Sequence, residues 1–395
     1  MPQGQPEQPA DLSFEFITSI TSVTASEWNG ITGTDYPFTR YEFLQALESS
    51  GATRRESGWQ PHHLLIRHCE KQQPTRLIGV MPLYLKWHSY GEYVFDFAWA
   101  EAYQRYGLDY YPKLVSAIPF TPATGPRLCL SPGFDRNRIN RQVFEALKQQ
   151  AETLNVSSWH LLFPTEADSH LWQAAGAPQR LGVQFHWFNN QFQSFEAYLG
   201  TFSSRKRKNL KKERQQVQDQ NIRMHCFTGA DITEAMWQQF YRFYQLTYAK
   251  RSGHGGYLNS DFFETIGTTL REHIVMVLAE HQGKYIAGAL CFRDSTTLYG
   301  RYWGCIAEAN FLHFEACYYQ GIDFCIATGL QRFDPGAQGE HKIQRGFTPI
   351  YTYSNHWLVN PEFQTAVKQF LSEEQHHIQH YKSDAEALLP FKCTD

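Results

Sequence analysis

The sequence predicts an α/β (α+β) protein of two tandem lobes, each a mixed sheet flanked by helices. Three observations carry that prediction. The landmarks of one half recur in the same order in the other. Each half alternates strand-like with helix-like runs. A chain of 395 residues, 42% hydrophobic and 15% aromatic, is long enough for two domains and a large core.

The repeat begins at a glycine-centred apolar stretch, Leu77-Ile78-Gly79-Val80-Met81 in one half and Ile286-Ala287-Gly288-Ala289-Leu290 in the other. Each follows a strand-like run, His63 to Ile66 and Ile274 to Ala279. A helix and a strand come next: Gln142 to Val156 before Trp159 to Pro164, and Phe314 to Thr328 before Arg332 to Pro335. Gly176 precedes His186-Trp187 by ten residues, and Gly346 precedes His356-Trp357 by the same ten. Shared order over several landmarks favours duplication.

The expected organisation follows. Residues 1–13, polar and rich in Pro and Gln, form a disordered N-terminal tail. Lobe one spans 14–193 and carries an aromatic insertion, 89–126, that lobe two lacks. A basic inter-lobe helix covers 194–221, lobe two 222–360, and a polar, helical C-terminal tail 361–395. Two helices, Ile232 to Lys250 and Ser260 to His273, open lobe two.

A net charge of −3 gives no global pull toward polyanions, so any such contact is local. The eight cysteines contain no C-x-x-C pair and suit reduced thiols in the cytoplasm. No apolar run approaches the roughly 18 residues of a membrane span. His376 and His380 have helical ligand spacing but no further donor, so no metal is expected. No G-x-S-x-G elbow, Walker motif or G-x-G-x-x-G fingerprint is present.

The segment Arg332 to Phe347 concentrates reactive groups. Gly336 and Gly339 permit dihedrals that turn backbone N–H groups toward an anion, and Lys342 and Arg345 add countercharge. His341, with Glu340 or Asp334 beside it, is the candidate for moving a proton, because histidine titrates near neutrality. The plainer reading is a Pro335-Gly336 turn followed by surface polar residues.

Three further segments offer binding groups. Seven of the ten residues from Arg205 to Arg214 are cationic. Arg205, Lys206 and Lys208 there either dock a phosphorylated donor or form a solvated helix face. From Leu298 to Cys305 the alternation suits a strand whose Tyr302 and Trp303 build a pocket, with Arg301 free for a carboxylate or phosphate. His313 stands at the start of the next helix. In the insertion, Asp96 and Trp99 belong to an aromatic wall that lines a cleft between the lobes or is simply buried.

Together, Pro37-Phe38, Phe43 to Glu48, Gly58 to His62, Ser89 to Asp96, Tyr110 to Lys113, Arg205 to Lys211, Leu298 to Gly304, Leu312 to Glu315 and Gly336 to Phe347 carry a resemblance. Over nearly its whole length the chain resembles the FemAB-like N-acyltransferases, bacterial proteins related to the peptidoglycan aminoacyl ligases and the GNAT superfamily. The resemblance implies two GNAT-like lobes and an activated co-substrate, acyl-CoA or aminoacyl-tRNA, with no permanently bound cofactor. It implies a small-molecule or peptide amine as acceptor, with tRNA a candidate partner of the basic helix. No R/Q-x-x-G-x-G/A pyrophosphate signature stands at the expected place, and no long helical hairpin separates the lobes.

The expected activity is therefore N-acyl transfer from that donor to a primary amine, with His341 as base. The amine arrives mostly as ammonium and must lose a proton before it can attack. The alternative is a non-catalytic GNAT-like module that binds a cell-wall peptide or another anionic ligand. A weaker third reading is RNA binding through the basic helix.

Overall fold

The computed structural model describes residues 11–69, 75–253, 255–337 and 339–392. Several of its helices begin where the sequence supplies a capping side chain. Thr24 and Glu27 close a reciprocal capping box ahead of Ala25–Thr32, and Asp135 accepts the free N–H groups of Asn137 and Arg138 ahead of Arg136–Thr153. Asn360 with Pro361 starts the longest helix, Pro361–Ala387. The two helices expected to open lobe two are Glu234–Ser252 and Ser260–Thr269.

Among the described residues the strands form two sheets. The larger has eleven strands, in the order Ile222–Thr228, Ile274–His281, Lys284–Arg293, Thr297–Cys305, Arg332–Asp334, Gln179–Phe188, Thr348–Leu358, Ser158–Leu162, Lys113–Ser116, Tyr84–Lys86 and Trp59–Pro61. The smaller joins Asp11–Ile17, His63–Cys69, Arg76–Met81 and Cys129–Leu130. Only His62 separates Trp59–Pro61 from His63–Cys69, and only Pro82 and Leu83 separate Arg76–Met81 from Tyr84–Lys86. A bend at each of these points sends one run of chain into both sheets, and at Pro82 the missing N–H makes the break inexpensive.

The centre of the larger sheet is an exchange. Gln179–Phe188, the last strand of the first half, pairs with Arg332–Asp334 of the second. Thr348–Leu358, the last strand of the second half, pairs with Ser158–Leu162 of the first. The two exchanged strands pair with each other over eight positions. The repeat landmarks His186-Trp187 and His356-Trp357 lie on these strands, at the seam. The fold class expected from the sequence, two tandem α/β lobes, is the one observed, with one sheet running through both.

Three segments differ from their expected form. Residues 11–13 form a ladder with Cys69, His68 and Arg67, so the end of the expected tail is part of a strand; residues 1–10 of that tail lie outside the described residues. The basic inter-lobe segment is two helices, Phe195–Leu199 and Ser204–Asp219. The C-terminal segment packs on the seam: Val367 and Leu371 join Leu358, Trp99, Tyr103 and Tyr110 in one apolar cluster, and Glu374 accepts from Arg180 Nη2 and Nε at 2.7 and 2.8 Å.

Candidate active site

The site forms where two parallel strands part. Thr297–Cys305 pairs with Arg332–Asp334 only through Thr297, Leu298 and Tyr299, while its other edge stays paired with the neighbouring strand as far as Cys305. Beyond Tyr299 the strands diverge and leave a wedge. Its cavity, of about 500 Å³, is lined by Gly300, Arg301, Tyr302, Trp303 and His313 on one side and Gly336, Gly339, His341 and Lys342 on the other. Tyr93, Phe120 and Pro122 of the first half close it. Divergence leaves backbone polar groups of the strand edge without a strand partner, which suits an extended ligand.

Asp334 ends the shorter strand and is fully buried. Arg301 donates to both its oxygens, at 3.3 and 2.5 Å, and the Gly336 N–H donates to Oδ1 at 2.9 Å. His186 Nε2 lies 3.6 Å from the same oxygen. Burial alone would raise this carboxyl, but Arg301 and His186 outweigh it and hold it well below the usual carboxylate range. Asp334 is thus a permanent anion that anchors Arg301, and among the described residues it makes no hydrogen bond to His341. Arg301, expected to be open to a ligand, keeps only its buried Nε unpartnered.

The expected loop is a short 3-10 helix, Glu340–Arg345, bounded by Gly339 and Gly346 at φ +104° and +80°. Its turn sends Lys342 inward, 2% exposed, where Nζ donates to the Gly336 carbonyl at 2.6 Å. Burial pushes this ammonium down to about 8, against the pull of Asp334 and with help from Arg301. The Gly336–Gly339 bend therefore faces Lys342 with a carbonyl and Asp334 with an N–H. The Gly336 N–H is not available to an anion.

His341 lies at the cavity wall. Its Nε2 is 2.8 Å from the Tyr318 hydroxyl, and burial, then Arg345 and Lys342, lower its pKa, so the ring is neutral at pH 7. Tyr318 reaches it because Glu315–Tyr319 is a π turn inside the helical run 312–328, a widening that redirects side chains. Trp303 and His313 meet edge to face at 5.3 Å in the same wall, and Tyr302 is buried against Tyr244 and Phe263.

Other expected site residues are committed elsewhere. Arg345 is buried, holds Glu213 of the basic helix at 2.9 Å and lies 3.5 Å over the Phe314 ring, so it braces the loop. Glu340 is exposed and accepts from Tyr381 at 2.8 Å, facing away from His341 into a second cavity. On the basic helix, Lys206 contacts Gln344, Arg205 and Lys208 are exposed, and Arg214 is spent on Glu315 and Asp323. Asp96 is buried against Lys113, and Trp99 packs on His356 at 4.8 Å. Neither lines the wedge.

Sequence reasoning missed Tyr318, Glu213 and His186. His186 was visible only as a repeat landmark, and Glu213 only as the one acid among the cations. Tyr318 carried no signal, because a tyrosine in an apolar helix reads as core.

Fold and cavity define the class: a two-lobed α/β protein whose shared sheet opens between parallel strands onto a polar wedge. A FemAB-like family model, described as peptidoglycan biosynthesis/recognition, matches residues 19–393, and the chain belongs to that family. No curated protein matches it. Among solved structures it is similar to FemX, at 10% identity and a TM-score of 0.49 over 88% of this chain and 98% of that one. It is also similar to L-PGS from Bacillus licheniformis, at 10% and 0.45 over 84% and 96%. A tandem GNAT protein from the clavulanic acid biosynthesis pathway aligns at 8% and 0.44 over 89% and 99%. Among the described residues no helix is long and apolar enough to cross a membrane.

Proposed function

We propose that the protein is a cytoplasmic N-acyltransferase that moves an acyl or aminoacyl group from acyl-CoA or aminoacyl-tRNA to a primary amine. The observation that carries this reading is the wedge, where a neutral His341 and a depressed Lys342 flank one side of a cavity opened by strand divergence. Family membership in peptidoglycan biosynthesis/recognition supports a peptidoglycan-related amine as acceptor.

In this mechanism His341 takes the amine proton at Nδ1, which requires the tautomer whose Nε2–H donates to the Tyr318 oxygen 2.8 Å away, a contact that orients the ring. Lys342, cationic for most molecules at pH 7, faces the negative charge that develops on the attacked carbonyl oxygen. Arg301 and Asp334 hold the wedge open as a rigid ion pair and move no proton. No covalent enzyme intermediate is required.

The test is turnover of acetyl-CoA and of alanyl-tRNA with a lysine-ended peptide, in the wild type and in His341→Ala and Lys342→Ala. Loss in both variants with folding intact is expected, and unchanged turnover in both sinks the assignment. One observation favours the non-catalytic alternative: with its Gly336 N–H occupied, the bend has one fewer donor for an oxyanion. Ligand binding without turnover of either donor would decide for that module.

A further inference from the structure

The aromatic insertion contains buried acid–base chemistry that the wedge does not use. Lys113 donates to Ser89 at 2.8 Å and Glu92 at 2.9 Å and contacts Asp96; Tyr110 donates to Asp96 Oδ2 at 2.6 Å. Lys86 Nζ stands 4.0 Å from Glu92 Oε1. From this cluster a chain of contacts runs to the seam of the sheet. Tyr110 Oη is 3.1 Å from His160 Nε2, His160 Nδ1 is 2.8 Å from His356 Nδ1, and His356 Nε2 is 2.8 Å from Ser354 Oγ. Ser354 lines the second cavity, about 410 Å³ between the seam and the C-terminal helix. Every member from Ser354 to Glu92 is at most 4% exposed.

One end fixes the direction of every hydrogen bond. The Tyr110 hydroxyl is spent on the Asp96 carboxylate, so its oxygen accepts from His160 Nε2–H. Ser158 Oγ, 2.8 Å from the same nitrogen, is a second acceptor for that proton. A neutral His160 protonated at Nε2 has a lone pair at Nδ1, so His356 donates from Nδ1–H. His356 Nε2 then accepts from the Ser354 hydroxyl. From Ser354 to Asp96 every donor points inward, Lys113 donates both to Asp96 and to Glu92, and Ser354 turns an oxygen lone pair toward the cavity.

We propose that this chain is a proton relay, which strips an ammonium acceptor bound in the second cavity and stores its proton on buried Glu92. It rests on the transferase reading and divides two protons: the relay takes the one that makes the ammonium a nucleophile, and His341 takes the second, released when that amine attacks in the adjoining wedge. The cavity suits a cationic amine, because Glu340 and Glu374 face it against the single guanidinium of Arg180. It adjoins the wedge, both being lined by Tyr93, Ala337 and Gly339. The substrate nitrogen gives a proton to Ser354 Oγ, and the hydroxyls and imidazoles each pass on the proton they carry. Lys113, an ammonium that donates to both acids, first releases a proton to Glu92, and the lone pair so freed takes the proton from Asp96, which leaves Lys113 an ammonium again. The net change is ammonium to amine and carboxylate to carboxylic acid.

Two further features fit. Glu92 Oε1 and Asp96 Oδ1 are buried without a hydrogen-bond partner among the described residues, which leaves an acceptor for an added proton. Burial raises the Glu92 carboxyl to about 7 against the pull of Lys113 and Lys86 and with the push of Asp96, so it can hold a proton near neutrality and return it. Burial, with Lys113 and Arg180, keeps both imidazoles neutral, His160 near 3, despite the nearby Asp96.

Two measurements test the relay. Nitrogen-15 spectra of the full chain at pH 7 should show His356 protonated at Nδ1 and His160 at Nε2. The reverse tautomers, or a charged ring, overturn it whether or not the protein turns over. In the acetyl-CoA or alanyl-tRNA assay, Tyr110→Phe and Glu92→Gln should each lower kcat at least tenfold at pH 7 with KM unchanged, and recover as pH rises toward the acceptor's own pKa. A loss independent of pH, or no loss, overturns the relay. Absence of wild-type turnover overturns the transferase reading instead, and the imidazole spectra then judge the wire alone.

Discussion

Replacing Lys342 by methionine separates what the residue does for the fold from what it does for a reaction. Methionine keeps the length and apolar volume of the stem and removes the ammonium. Burial lowers that ammonium from 10.5 to about 8. At about 1.4 kcal/mol per pH unit, carrying it inside costs on the order of 3 kcal/mol at neutral pH. The variant loses the bond to the Gly336 carbonyl, a loss of roughly 1–3 kcal/mol for a buried acceptor. The two nearly cancel, so at pH 7 Lys342→Met should be as stable as the wild type or more stable by up to about 2 kcal/mol. The sign with pH is fixed. Between about 8 and 10.5 the unfolded chain holds the proton that the folded chain has released, so wild-type stability rises through that window, and below 8 the cost is fully present. Urea denaturation of both proteins from pH 7 to 10.5 reads the difference directly, since groups common to both cancel. A gap that does not move toward the wild type with rising pH, or a variant several kcal/mol weaker at pH 7, would refute the reasoning.

Three further outcomes follow from contacts described above. Asp334→Asn strands the buried Arg301 charge and should cost about 3–5 kcal/mol by denaturant titration at pH 7; the wild-type contribution is present above the unfolded carboxyl's range and fades only as pH falls through the lowered native value. Gly346→Ala places a Cβ 2.1 Å from the Tyr198 hydroxyl at φ +80°, and thermal unfolding should show a loss of roughly 2–4 kcal/mol from strain and overpacking together. Arg205→Ala with Lys208→Ala should leave unfolding unchanged, and, where aminoacyl-tRNA is the donor, should raise its KM and flatten its dependence on salt; an unaltered salt slope removes the exposed face of that helix from donor binding.

Much of the fold was legible because it is written in periodicity and order. The two glycine-centred strands, the helices ahead of Ser158–Leu162 and Arg332–Asp334, and the matched histidine-tryptophan landmarks are all local patterns. The site was legible as a segment and not as an arrangement. Gly336, Gly339, His341, Lys342, Arg301, Tyr302, Trp303 and His313 do line one wedge, yet Asp334 and Arg301 neutralise each other, Arg345 turns back to Glu213 and Glu340 looks into another cavity. Which partner each charge takes depends on residues 30 to 130 positions away, and spacing carries no trace of that. Asp96 and Trp99 were singled out within the aromatic insertion; Asp96 belongs to a buried hydrogen-bonded chain and Trp99 packs on its His356, and neither lines the wedge.

By itself the sequence determined that the chain has two α/β halves, that its second half carries a loop dense in glycine and charged residues after a short strand, and that the inter-lobe segment is cationic. These properties depend on residues near one another along the chain, where steric preference and side-chain alternation act. Tertiary structure alone decided that the last strands change places, that the parallel strands part after Tyr299, and that His160 meets His356 across the seam. Those outcomes come from how unpaired backbone edges and apolar faces are satisfied in space, between segments that the order of residues leaves far apart.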